Sequence, residues 1–161
     1  MIKPASLKTI KQELSLLSNQ EVIQMLLKLV RHRKENKELV SFILFDSKDE
    51  ASYIRQMKLD MDELMKPVTR SNYATSLKYI RRVLRNTKKI ARYSTHNEME
   101  VELLMHFCSI LKSKNLPVKE VKGLSKMWDR CIQSILKAIS TLHDDLKYDY
   151  QTELDTLLRD I

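Results

Sequence analysis

"LSKMWDRCIQSILKAISTL", residues 124–142, decides the fold. Leu124, Trp128, Cys131, Ile135, Ala138 and Leu142 recur at intervals of three and four, with Ser, Lys, Asp, Arg and Gln between them. A strand alternates every second residue, whereas this spacing lines one side of a helix. From about residue 119 to residue 161 only Gly123 interrupts the chain. A run that long exceeds an ordinary globular helix, so a turn is expected near 143–149. Asp144, Asp145 and Asp149 are each candidates to cap the last helix.

The same signals extend toward the N-terminus. "SNQE" (18–21), "SKDE" (47–50) and "THNE" (95–98) fit the capping box, in which Ser or Thr accepts from an early backbone N–H and Glu reaches back. Pro67 ends one helix, because the residue before proline avoids the helical region, and "KNLPVKE" (114–120) makes a second break. The expected helices are 6–17, 19–33, 36–46, 48–65, 70–93, 96–114, and the paired run after 119. One Gly and three Pro in 161 residues leave few breakers. The expectation is therefore an all-α domain of seven or eight antiparallel helices, either a HEAT-like α-α repeat or an irregular helical bundle. A chain of this length suits one domain. It is read as a single helical domain, 1–161, with 1–66 and 67–161 as its subdivision. Leu104, Phe107, Trp128, Ile132 and Ile135 are expected in the core. "SLKTIKQEL" (6–14) and "SLKYIRRVL" (76–84) share Ser, Leu, Lys, Ile and Leu, which suggests a duplicated hairpin at an offset of 70.

Composition excludes several classes. No apolar run reaches about 18 residues, so no transmembrane helix is expected. The opening "MIKPASLKTIKQEL" lacks the apolar region of a signal peptide. Two cysteines, Cys108 and Cys131, make no disulfide framework, and both lie in apolar stretches. Free buried thiols and a cytoplasmic location are the expectation.

The net charge is +8, and it is concentrated. Residues 70–93 carry eight Lys or Arg and no acid, a charge equal to the whole excess. On a helical wheel with Lys78 at zero, Arg81, Arg82, Arg85, Lys88, Lys89 and Arg92 fall between about 280° and 40°. Leu77, Ile80, Val83, Leu84, Ile90 and Ala91 fall between about 120° and 260°. The helix is thus expected to pack on one side and present seven cations on the other. Like charges one turn apart repel, and no acid is interleaved to relieve them. A face built for solubility alone mixes signs. Either acids from elsewhere fold over it, with Asp60, Asp62, Glu63 and the 144–155 cluster as candidates, or it meets an anionic partner. Cations one helical turn apart suit phosphates. Stacking aromatics are few, so contact with nucleic acid would be led by the backbone. An acidic protein surface is the alternative partner. A membrane is the weaker fit, since the apolar side lacks Trp and Phe.

Catalytic patterns are thin. His143-Asp144 is similar to the His-Asp pair of the helical HD-type metal phosphohydrolases, with His106 or His96 as the upstream histidine. "HDDLK" lacks the Gly usual after that pair, and only 17 residues follow Asp144, so this reading ranks third. Glu102 and His106 share a helix face, but a di-iron bundle needs Glu-x-x-His pairs on two helices. There is no P-loop, serine elbow or zinc spacing. No catalytic residue, metal or cofactor is assigned. At "RHRKENKELVSFILFD", "EVELLMHFC" and "LHDDLKYDY" the chain resembles a group of small helical bacterial proteins that carry no assigned activity. Its short paired helices are also similar to HEAT-like repeat proteins. That resemblance implies a scaffold, in some cases one that binds DNA through a basic groove.

Overall fold

A computed structural model of the chain describes residues 3–159. Every regular element in them is helical: α1 (Leu7–Leu16), α2 (Asn19–His32), α3 (Lys34–Ser41), α4 (Glu50–Met65), α5 (Tyr73–Ile90), α6 (Glu98–Ser113), α7 (Lys122–Ile139) and α8 (Asp144–Leu158). One π-helical turn, Phe42–Asp46, follows α3. The chain divides into two compact units, Met1–Phe45 and Asp46–Ile161. The boundary therefore falls at 45/46. Pro67 lies inside the second unit, between α4 and α5, which pack on each other.

Local chemistry accounts for the helix ends. The Ser18 hydroxyl accepts from Glu21 N, and Glu21 accepts from Ser18 N, so the box at 18–21 is complete. The other two boxes do not form. Asp49 caps α4 by accepting from Ser52 N, which frees Glu50 to accept from Ser94. Asn97 precedes α6 without a side-chain cap, and Glu98 instead accepts from Tyr150. In both cases a tertiary partner takes the glutamate that a local box would have used. The break at "KNLP" is a Schellman ending. Asn115 adopts φ 49°, Asn115 N donates to Lys112 O, and Leu116 N donates to Leu111 O. The last turn comes earlier than expected. His143, not an aspartate, is the residue before α8, and Asp144 and Asp145 occupy its first turn, where the helix dipole favours negative charge.

In the first unit, α2 and α3 pack together, and Asn36 donates to Leu29 O between them. No residue of α1, α2 or α3 is buried.

In the second unit, α6 is the central helix, in contact with α4, α5, α7 and α8. It is accordingly apolar on nearly every side: Met99, Val101, Leu103, Leu104, Met105, Phe107, Cys108, Ile110 and Leu111 are buried. Helices two apart in the chain run parallel. Glu50 meets Ser94, Lys58 meets Glu102 and Asp62 meets His106, each across 44 residues, which sets α4 beside α6. Lys88 meets Ser134 across 46 residues, and Leu77 lies against Gly123, which sets α5 beside α7. Lys112 donates to Leu157 O across 45 residues, which sets α6 beside α8. The unit is thus two layers, α4–α6–α8 and α5–α7. The recurring spatial offset is 44 to 46 residues, not the 70 suggested by the matching nonapeptides. Leu104, Phe107, Trp128 and Ile135 are buried as expected. Ile132 is only half-buried, because it lies about 80° round α7 from the centre of the buried stripe.

Candidate anion-binding surface

The basic segment forms α5, shorter at each end than the 70–93 expected. Arg70 lies before the helix, where its guanidinium donates to Asn115 O and approaches Glu120. Within α5 the apolar side is consumed by the core: Ile80, Val83 and Thr87 are buried, with Ala91 just beyond the helix end. The buried Thr87 hydroxyl is satisfied by Val83 O one turn back. That anchoring orients the opposite side outward. Lys78, Arg81, Arg82, Arg85 and Arg92 are exposed. Lys88 and Lys89 are half-buried, and the Lys88 ammonium donates to Ser134 Oγ on α7. So four of the seven cations share the exposed face of α5, Arg92 is exposed in the turn that follows, and Lys88 is turned into the α5–α7 seam.

Where Lys88 points, the basic surface continues. Arg81 Nη2 lies 3.2 Å from the position a Cβ would take on Gly123, so a side chain there would crowd it. Gly123 and Ser134 mark the edge of α7 that faces α5. Lys126, Arg130 and Lys137 lie within about 60° of that edge, and all three are exposed. They extend the band onto α7 for about 16 Å at 1.5 Å per residue. Sequence reasoning missed them because they are spread over twelve residues among ordinary core positions. Only the parallel packing of α5 and α7 brings them beside Arg81 and Arg85.

No acid interrupts this surface from α5, which contains none. Asp129, the one acid of α7, lies on its far flank, where it accepts from Ser125. Most of the acids expected as internal covers are engaged elsewhere. Asp60 accepts from Gln56, Asp62 meets His106, Glu63 pairs with Lys66, Asp144 with Lys147, and Asp155 accepts from Gln151. The α4–α6–α8 layer holds the mixed-sign pairs, and the charges of α5 and α7 are cations save Asp129.

The other layer contains a groove of about 470 Å³, lined by Lys58, Glu102, His106, Lys112, Tyr150 and Glu153 among others. Three of its polar groups, Lys58, Glu102 and Tyr150, satisfy one another. Lys58 pairs with Glu102, and the Tyr150 hydroxyl lies 2.8 Å from both Glu98 and Glu102. Burial alone raises the Glu102 carboxyl, but the Lys58 ammonium and the Tyr150 hydroxyl outweigh it and hold the group below its ordinary value. Burial, then the two carboxylates, push the Tyr150 hydroxyl up. Glu102 and His106 are therefore taken by Lys58 and Asp62 rather than poised toward a common ion. Among the described residues there is no group of three or more His, Cys, Asp or Glu able to hold a metal. His143 is exposed at the start of α8, 3.4 Å from Asp145.

Cys108 and Cys131 are free and buried, facing each other across α6 and α7. A hydrogen bond to Cys131, together with burial, pushes the Cys108 thiol up, which keeps it protonated. Among the described residues no helix is long and apolar enough to cross a membrane. No protein family, curated protein or solved structure matches the chain.

Proposed function

We propose that the protein is a non-catalytic helical scaffold that holds an acidic macromolecule, with nucleic acid the leading case, on the α5–α7 layer. One observation carries the reading. Seven exposed cations, Lys78, Arg81, Arg82 and Arg85 of α5 and Lys126, Arg130 and Lys137 of α7, stand on two parallel helices whose one acid, Asp129, lies on the far flank. Exposed cations set next to one another without interleaved acids cost repulsion in the free protein. A polyanion relieves that repulsion and releases counterions. Rows on two helices match the doubled phosphate rows of a duplex better than a single stripe does. The 44- to 46-residue recurrence supports a HEAT-like stack of hairpins, whose period is about 40–47 residues. Free, buried thiols fit a cytoplasmic setting.

Fluorescence anisotropy with labelled duplex DNA, single-stranded DNA, RNA and poly-glutamate at about 50 mM salt tests the reading. Micromolar binding to nucleic acid, alike for unrelated sequences, is expected, since backbone contacts carry no base information. Binding to poly-glutamate alone turns the assignment to an acidic protein surface. No binding to any probe refutes the anionic partner.

A further inference from the structure

We infer that α1 and α2 form a self-association surface whose occupant is a second copy of this chain. Both helices are locally specified. Ser6 caps α1 by accepting from Thr9 N, and the complete box at Ser18 and Glu21 starts α2. Yet helices of 10 and 14 residues are marginal in water without a packed face. Here neither helix has a buried residue.

The unfilled faces are pronounced. On α1 and the residue after it, Leu7, Ile10, Leu14 and Leu17 follow the 3-4-3 spacing of a coiled-coil seam. On α2, Val22, Ile23, Met25, Leu26, Leu27 and Leu29 cover a broad arc. Leu7 is 85% exposed, Ile23 51% and Leu29 52%. Together the exposed fractions of these apolar residues amount to about four whole side chains. At about 120 Å² per aliphatic side chain this is about 480 Å² of apolar surface per copy. Two copies related by a twofold axis that cover all of it bury close to 1,000 Å², at the low end for a specific interface, as in a weak, concentration-dependent dimer.

Charge and composition favour a second copy over other occupants. Lys8 on α1, and Glu21, Lys28 and Arg31 on α2, fall outside the apolar arcs, and Lys11 and Glu13 of α1 flank its arc on opposite sides, where charges of two copies can pair. Closing two copies face to face therefore desolvates no unpaired charge, the usual cost of such a contact. A partner recognised by its charge finds nothing to pair with on the arcs. Residues 3–33 contain no Trp, Tyr or Phe, the residues that anchor interfacial helices in a bilayer. A strip of Leu and Ile in 3-4 spacing takes another such strip, knobs into holes, and each copy supplies one. The inference is independent of the anionic partner proposed above.

Sedimentation velocity of the full chain from about 1 to about 100 µM tests it, across a range where interfaces of this size associate. The mass should rise from 19.0 kDa toward twice that value. The double substitution Ile10→Asp and Leu29→Asp should weaken association at least about 100-fold, since each places a charge in an apolar seam. Leu26→Gln, similar in length and in helix propensity, should weaken it less but in the same direction, which separates loss of the seam from loss of the helix. Leu59→Asp, at a comparably exposed apolar site on α4 (57%), should leave association unchanged. A monomer throughout the range overturns the inference. So does a dimer indifferent to the α1 and α2 substitutions, or one weakened equally by Leu59→Asp.

Discussion

Reversing Arg85 and Arg130 to Glu separates a two-helix anion surface from a single basic helix. Arg85 is the last fully exposed cation of α5, and Arg130 is the exposed cation of α7 beside it. If about five cations of the band meet phosphates of duplex DNA, the logarithm of affinity falls against the logarithm of salt with a slope of about −4.5. Between about 50 and about 200 mM salt this is a loss of about 500-fold. Removing two contacts brings the slope to about −2.7 and the same interval to about 40-fold. Arg130→Glu alone should make the slope shallower by about 1, because α7 is part of the surface. Lys88→Met should change the slope less than Arg85→Glu, since its ammonium is half-buried in the seam and held by Ser134. Both arginines lie opposite the buried stripes of their helices, so thermal unfolding should shift little. The assay is anisotropy titration at four or more salt concentrations. The reasoning fails if Arg130→Glu leaves the slope where it was while Arg85→Glu changes it. It fails equally if Lys88→Met changes it as much as Arg85→Glu.

Three further outcomes concern the scaffold. Ile135→Ala should cost about 2–5 kcal/mol in urea unfolding, by lost transfer energy and a cavity, whereas half-buried Ile132→Ala should cost about 1 kcal/mol. Gly123→Ala should stabilise by about 0.5–1 kcal/mol, because alanine suits the first turn of α7 and only the flexible ends of Arg81 and Leu77 must give way; a loss of stability would mean that the α5–α7 seam is closed there. Glu102 is held below its ordinary value of 4.5 in the folded state, so it contributes stability above that pH and loses the contribution as pH falls through the folded value. Glu102→Gln should therefore flatten the acid side of the stability profile below about pH 4.5, and a profile parallel to that of the wild type would contradict the assignment.

The all-helical class, the order of the elements and most of the core were legible along the chain. Helix period, caps and breakers act within a few residues, so "LSKMWDRCIQSILKAISTL" identifies its own buried stripe, and "KNLP" its own ending. The exposure of Lys78, Arg81, Arg82 and Arg85 was legible for the same reason, because one wheel separates them from Ile80 and Val83. What lies beyond one turn was not. Glu50 and Glu98 look like capping glutamates in sequence, but Ser94 and Tyr150 claim them from 44 and 52 residues away. Lys88 looks like one of seven equal cations until α7 places Ser134 under it. Arg130 joins the band, and Asp62 leaves it, because helices 44 to 46 residues apart lie side by side. Local hydrogen bonding and periodicity determine which residues face outward. Which outward faces adjoin, and so whether a charge stands beside its like or its opposite, depends on how whole helices pack around the apolar α6.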